Sequence, residues 1–284
     1  MNEGQTASRS KFHEAPLVVF SALVSAGAGT GVTHFVFALS DLASFLPPSG
    51  LPALIACLLA IGLLASMAHL GRPGGVTDGL RRIGRSPLSN EGAVAVLALA
   101  GAALSSIVPD TNFLFAPVWY LTVGACVGTL ISLGAVYRIP GRPGWGGGVV
   151  FQPLIAGMIA GWVLWRMAAP GPMPFPFFAI LIILVLTDLG ITASRILVLA
   201  GHREESTPSH PQLFALRNTL LLLRCLFVDL LPLLFAATGH WSLATVAVAV
   251  GVFVDRTSFY GLGLKETTEA EIARVEGILE SLPD

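Results

Sequence analysis

The sequence predicts an all-α integral membrane protein of eight transmembrane helices in two four-helix bundles, and three observations carry that reading. Of 284 residues, 54% are hydrophobic and only 12% charged, with a mean hydropathy of +0.77. A soluble domain carries about 25% charged residues, so this chain has too little polar surface to cover a globule in water. The charges are also unevenly spread: from Ala15 to Gly71 the only one is Asp41, and from Gly92 to Tyr137 the only one is Asp110. Each stretch divides into two apolar runs of roughly 20 residues, the length that crosses a bilayer core as a helix. Finally, Lys and Arg are confined to alternate connections, as an even number of crossings requires.

The helices are expected at 16–39, 52–70, 92–108, 116–137, 149–168, 176–200, 213–237 and 242–261. Breaks fall at Pro47-Pro48, Pro109-Asp110, Gly141-Arg142-Pro143-Gly144 and the proline-rich stretch from Pro170 to Pro176. The pattern lacks the alternation of a membrane barrel, and only helices otherwise satisfy their backbone in hydrocarbon. Val18-Val19-Phe20 with Ala26-Gly27 is echoed by Val149-Val150-Phe151 with Ala156-Gly157, a faint repeat in keeping with two four-helix halves. The membrane domain is expected to occupy 1–265. Residues 266–284 form an acidic tail whose Ile272, Val275 and Leu279 share one face of a short amphipathic helix. A cleaved signal peptide is not expected, because the first apolar run is followed by further spans.

The basic residues lie before the first span (Arg9, Lys11) and after the second (Arg72, Arg81, Arg82, Arg85). They recur after the fourth (Arg138, Arg142), the sixth (Arg203) and the eighth (Lys265, Arg274). The positive-inside rule then places both termini and the basic connections in the cytoplasm.

Ionisable groups inside hydrocarbon are costly and need a reason. Asp188 and Arg224 lie at similar distances, roughly 17 Å at 1.5 Å per residue, from the cytoplasmic ends of the sixth and seventh helices. A hairpin makes them level and predicts an intramembrane ion pair, either a lock between helices or part of a proton route or quinone pocket. Asp229 lies about one and a half turns deeper; Arg195 and Arg217 are matched nearer the surface.

Other chemistries are poorly supplied. The net charge of −1 offers nothing to nucleic acid. Cys57, Cys126 and Cys225 stand alone in apolar spans, so no iron–sulfur cluster is expected in this chain. Of six histidines only His34 and His240 approach the same, outer, side, which gives a bis-histidine haem no support. His13-Glu14 begins like a zinc-protease motif, but residue 17 is Leu.

The most informative stretch runs Ser66-Met67-Ala68-His69-Leu70-Gly71-Arg72-Pro73 and resumes at Ser86-Pro87-Leu88-Ser89-Asn90-Glu91. His69 ends a helix at the membrane edge, where a neutral imidazole can accept a hydroxyl proton. Glu91 is expected to open the next helix on the same side. Both residues also have structural readings: His69 at the negative end of its helix, and Ser89 with Glu91 as the N-terminal cap of the third span.

Four pieces in order resemble the membrane anchor (C subunit) of the bacterial dimethyl sulfoxide reductase family. They are His13-Glu14-x-Pro16-Leu17 with Phe20; Ala65–Gly71 continuing to Arg82-Ile83-Gly84 and Leu88–Glu91; Val136-Tyr137 with Pro143-x-Trp145; and Arg256-x-x-Phe259-Tyr260-Gly261. The resemblance covers most of the chain. It implies a three-subunit complex for anaerobic respiration: a molybdopterin catalytic subunit, a ferredoxin-like iron–sulfur subunit, and an anchor without haem that exchanges electrons with quinol, menaquinol in the family, although the residues do not fix which quinone this chain uses. The positions matching His69 and Glu91 are those implicated in quinol oxidation, and with the nearby Arg72 and Ser89 they make up the expected quinone pocket. Arg81, Arg82 and Arg85 would then belong to the docking face for the iron–sulfur partner. The terminal substrate would never touch this chain, and the residues fix neither that substrate nor the direction of electron flow. Family members with exported catalytic subunits require the opposite orientation to the one the charges give. A polytopic transporter, or an anchor that only tethers its partners, is the competing reading of the same composition.

Overall fold

The structure is a computed structural model that describes residues 15–40, 43, 46–70, 81–136, 151–169, 175–201, 206–208, 215–261 and 264–266. Helix α1 is Ala15–Leu39, α2 Leu51–Leu70, α3 Pro87–Ile107, α4 Phe115–Ala135, α5 Gln152–Ala168 and α6 Phe175–Gly201. Helix α7 spans Arg217–Ala237 and α8 spans Trp241–Gly261. Ser206–Pro208 (β1) pairs antiparallel with Leu264–Glu266 (β2), tying the segment after α6 to the segment after α8. The acidic tail lies outside the described residues.

Among the described residues, six helical segments are long and apolar enough to cross a membrane: Ala15–Leu39, Ser89–Ile107, Phe115–Ala135, Phe175–Val198, Arg217–Ala237 and Trp241–Tyr260. Leu51–Met67 is a shorter apolar helix. Helix α5 has 17 residues and carries Arg166 in its last turn. The outward surface is apolar too: Leu97, Leu121 and Leu197 are 64%, 74% and 73% exposed, which suits lipid and not water. Cys57 lies on this surface, whereas Cys126 is buried.

Helix α1 is central, packing on α2, α4, α5 and α8, while α3 closes against α2 and α4. Helix α5 joins α1 to the second half of the molecule through α6 and α8, and α7 packs on α8. The α1–α5 crossing is built from small residues four apart, which therefore share one helix face. Gly29 of α1 rests on the main chain of Gly157, and Gly161 of α5 rests on that of Gly29; a β-carbon at either glycine would fall inside the facing backbone. Thr33 Oγ1 donates across the same seam to the Met158 carbonyl at 3.3 Å. In lipid no water is released when apolar helices meet, so close backbone packing of this kind drives association.

An aromatic group fills the end of the molecule away from the basic connections. Phe37 meets Trp165 and Phe177 edge-on at 4.7 and 4.5 Å between ring centres. Trp165 Nε1 donates to His34 Nδ1 (3.1 Å), and Trp162 Nε1 donates to the Phe177 carbonyl (3.1 Å). Arg166 closes α5 by donating to the Ala169 carbonyl and lies 5.1 Å over the Trp241 ring. That placement explains how an apolar helix ends on an arginine.

Replacing Gly161 with Val should force α1 and α5 apart. Thermal unfolding in detergent is expected to show a loss of about 1–3 kcal/mol, the usual cost of overpacking. An unchanged melting curve would mean that the seam is not a close backbone contact.

Candidate functional site

The first helical turns of α3 differ from expectation. Ser86 is extended (φ −121°, ψ 124°) and Pro87 occupies the first turn, where its missing N–H costs nothing, so the helix begins before the apolar run does. Gly84, at φ +83°, turns the backbone, and its N–H donates to Asn90 Oδ1 at 2.6 Å. Ser89 and Glu91 therefore do not cap α3 but lie inside it, and Ser86 makes no side-chain cap either. Glu91 is fully buried, with neither carboxylate oxygen hydrogen-bonded. Ser89 is half-buried, and Arg81, Arg82 and Arg85 are exposed just ahead of it. His69 occupies the last turn of α2. Its side chain, and all of Arg72, lie outside the described residues.

The largest polar feature is a buried layer near the basic end of the second half, centred on Arg224 of α7. Its Nη2 lies 2.5 Å from Asp188 Oδ2 of α6, its Nε 2.6 Å from Asp255 Oδ1 of α8, and its Nη1 donates to Thr192 Oγ1 at 2.6 Å. Asp229 Oδ2 stands at 3.7 Å from the same Nη1. The structure thus brings Asp188 and Arg224 together and adds two carboxylates to them. All four ionic side chains are fully buried.

The local backbone makes this geometry. Residues Cys225–Leu230 form a π-helical turn immediately ahead of Pro232. A proline has no N–H and crowds the carbonyl one turn back, and a widened turn relieves both problems. Residues five apart diverge on an α-helix but come nearly over one another on a π-helix. The turn therefore brings Asp229 beneath Arg224.

Arg195, one turn from Thr192 on α6, donates to Gln152 Oε1 of α5 (3.2 Å) and to the carbonyls of Ser258 (3.1 Å) and Phe259 (3.3 Å) on α8. Those carbonyls belong to the last turn of α8, whose negative end a buried cation complements. Beside Asp255, Arg256 Nη2 lies 3.1 Å from Asp255 Oδ2, but its Nε, Nη1 and Nη2 make no hydrogen bond. Sequence reasoning does not identify Asp255, Arg256 and Gln152 as neighbours of the Asp188–Arg224 pair. A signal is present all the same, since Asp255-Arg256 interrupts an otherwise apolar span.

Among the described residues no group of three or more His, Cys, Asp or Glu is placed to hold a metal ion. A largely apolar groove of about 570 Å³ runs between α6 and α7, lined by Ile196, Leu222, Cys225 and their neighbours. A smaller crevice of about 290 Å³ lies at the opposite end of the molecule, near Pro48, Ser105 and Asp110.

Comparison with known proteins points to one family over most of the sequence. The sequence profile described as "DMSO reductase anchor subunit (DmsC)" matches residues 9–262. The C subunit of the anaerobic dimethyl sulfoxide reductase of Escherichia coli K12 is 39% identical over 88 residues, 29% of this chain and 30% of that protein. The anaerobic dimethyl sulfoxide reductase subunit YnfH of the same organism is 25% identical over 273 residues, 88% of this chain and 95% of the relative. The C subunit of the Haemophilus influenzae reductase is 33% identical over 141 residues, 47% of this chain and 50% of that one. No solved structure matches the sequence.

Replacing Arg224 with Met should leave Asp188 and Asp255 buried without their shared cation. Removing one partner of a buried pair typically costs about 3–5 kcal/mol. The variant is expected to accumulate poorly in the membrane and to unfold at markedly lower temperature. Wild-type yield and stability would show that the ions do not hold α6, α7 and α8 together.

Proposed function

Because the chain belongs to the DMSO reductase anchor subunit family, we propose that it is the quinone-interacting membrane anchor of a molybdopterin and iron–sulfur oxidoreductase, passing electrons between quinol and a ferredoxin-like partner in anaerobic respiration. The observation that carries the quinol part is Glu91: a fully buried carboxylate without a hydrogen bond, about one turn into a helix whose preceding segment exposes three arginines. A buried carboxylate left open in this way needs a proton or a polar ligand.

Menaquinol, when bound, supplies two electrons and two protons. On this reading Glu91 accepts one hydroxyl proton and His69, at the end of α2, accepts the other. Arg72 and Ser89 complete the pocket wall. The electrons leave through the covering partner, for which Arg81, Arg82 and Arg85 offer an exposed basic docking face against acidic groups. All eight helices cross the bilayer, as two four-helix halves joined along α1 and α5, with both termini in the cytoplasm. The family likeness and the alternation of basic connections support this arrangement.

A transporter reading needs Asp188 and Arg224 to line a water-filled route. Both are fully buried and in direct contact, which favours the lock between helices.

In the assembled complex, His69→Ala and Glu91→Gln should each lower quinol-dependent turnover by about 100-fold, the scale of a lost general base. Activity driven by an artificial dye donor should be preserved. Equal loss of both activities would mark these residues as structural. A tag at either terminus should react in intact spheroplasts only after the membrane is permeabilised; reaction without permeabilisation would invert the orientation.

A further inference from the structure

The three carboxyls around Arg224 are not equally served. Asp188 Oδ2 lies 2.5 Å from Nη2 and Asp255 Oδ1 lies 2.6 Å from Nε, both as short charge-assisted hydrogen bonds. Nη1 donates to Thr192 Oγ1 at 2.6 Å. Asp229 is different. Its nearer oxygen is 3.7 Å from Nη1, and neither of its oxygens accepts a hydrogen bond, although the side chain is fully buried.

The elements packed against this turn offer Asp229 no other donor. On α6 the Thr192 hydroxyl donates to the Asp188 carbonyl, and Arg195 turns its terminal nitrogens to Gln152 and to the carbonyls of Ser258 and Phe259. On α8 the Arg256 guanidinium lies 3.1 Å from Asp255 Oδ2. Helix α5 carries one charge, Arg166, which sits over the Trp241 ring. On its own helix Asp229 has Arg224 and the half-buried Cys225 as neighbours.

An ionised carboxylate without a donor is among the costliest groups to bury. A carboxylic acid brings its own O–H, and an acceptor is at hand in Asp188 Oδ1, which has no hydrogen-bond partner. Asp188 and Asp229 stand within side-chain hydrogen-bond reach of each other, against the adjacent Nη2 and Nη1 of one guanidinium. Two carboxylates so placed repel, and one proton between them turns the repulsion into a hydrogen bond. The described acids are not placed to ligate a metal ion, so a proton is the cation that fits.

We propose that Asp229 and Asp188 form a proton-binding site, in which Asp229 is a neutral carboxylic acid whose hydroxyl donates to Asp188 Oδ1. Asp188 Oδ2 keeps its ion pair with Arg224. The distances assign the proton to Asp229, because the cation holds Asp188 at 2.5 Å and Asp229 only at 3.7 Å. The proton comes from water as the helices assemble, and the π-helical turn Cys225–Leu230 delivers its carrier to Asp188. Losing it would set two negative groups against each other on one edge of Arg224. The site is independent of quinol and of Glu91, so neither proposal falls with the other.

Infrared spectroscopy of the full chain in lipid, with aspartate side-chain carboxyls labelled by carbon-13, separates this proton from any held by a glutamate. At neutral pH exposed carboxyls, with pKa values of about 4, are ionised. The chain should nevertheless show a protonated-carboxyl band that moves with the aspartate label. Asp229→Asn copies the shape of the neutral acid and keeps a donor for Asp188, so it should accumulate as the unaltered chain does and lose that band completely. A labelled band absent from the unaltered chain, or undiminished in Asp229→Asn, would overturn the proposal. Should the variant fail to accumulate, the unaltered chain decides: the labelled band supports the site and its absence overturns it.

Discussion

One guanidinium organises the second half of this molecule. Arg224 reaches two carboxylates and a hydroxyl on the two neighbouring helices, with a third carboxylate from its own helix close by. In water such contacts contribute little, because solvent competes for every group. Inside a membrane each helix that leaves the cluster would carry its charge into hydrocarbon, so the penalty for separation is large even where the net gain on assembly is small. The ions therefore act less as glue than as a rule of registry. Asp188, Arg224 and Asp255 meet only if α6, α7 and α8 stand at one relative height. The π-turn ahead of Pro232 belongs to the same device, since it carries Asp229 to the cation while accommodating the proline.

The first half is held differently. It has no comparable ion cluster among the described residues, and its close contact with the second half is the glycine seam between α1 and α5. Glu91, buried and without a hydrogen bond, lies on α3 of that first half.

Much of this was legible in the amino-acid sequence for plain reasons. Helix positions follow from runs of apolar residues interrupted by proline and glycine, and the start of each apolar run locates most helix ends closely. Helix α3 is the instructive exception: its first turn is polar, so hydrophobicity marked where the membrane begins and not where the helix does. That displacement moved Glu91 from a presumed cap to an interior position. Depth counting brought Asp188 level with Arg224, because a hairpin leaves little freedom in relative height. It could not show that Asp255 and Arg256 join them, since the angular position of α8 depends on its packing against α1, α5 and α7. Nor could it show Asp229 under Arg224, which requires a widened turn that no residue spacing announces. Of the seam glycines only Gly157 fell in the faint repeat, and Gly29 and Gly161 did not, because their effect is steric and depends on which helix they face.

The glycine seam also bears on biogenesis. Helix α1 is synthesised well ahead of its partner α5, which follows only after more than a hundred further residues. Until then the notched side of α1 faces lipid or a provisional neighbour, with no complementary backbone to fill it. Folding therefore cannot finish strictly in the order of translation: α1 has to wait, and the mature packing is completed when α5 arrives.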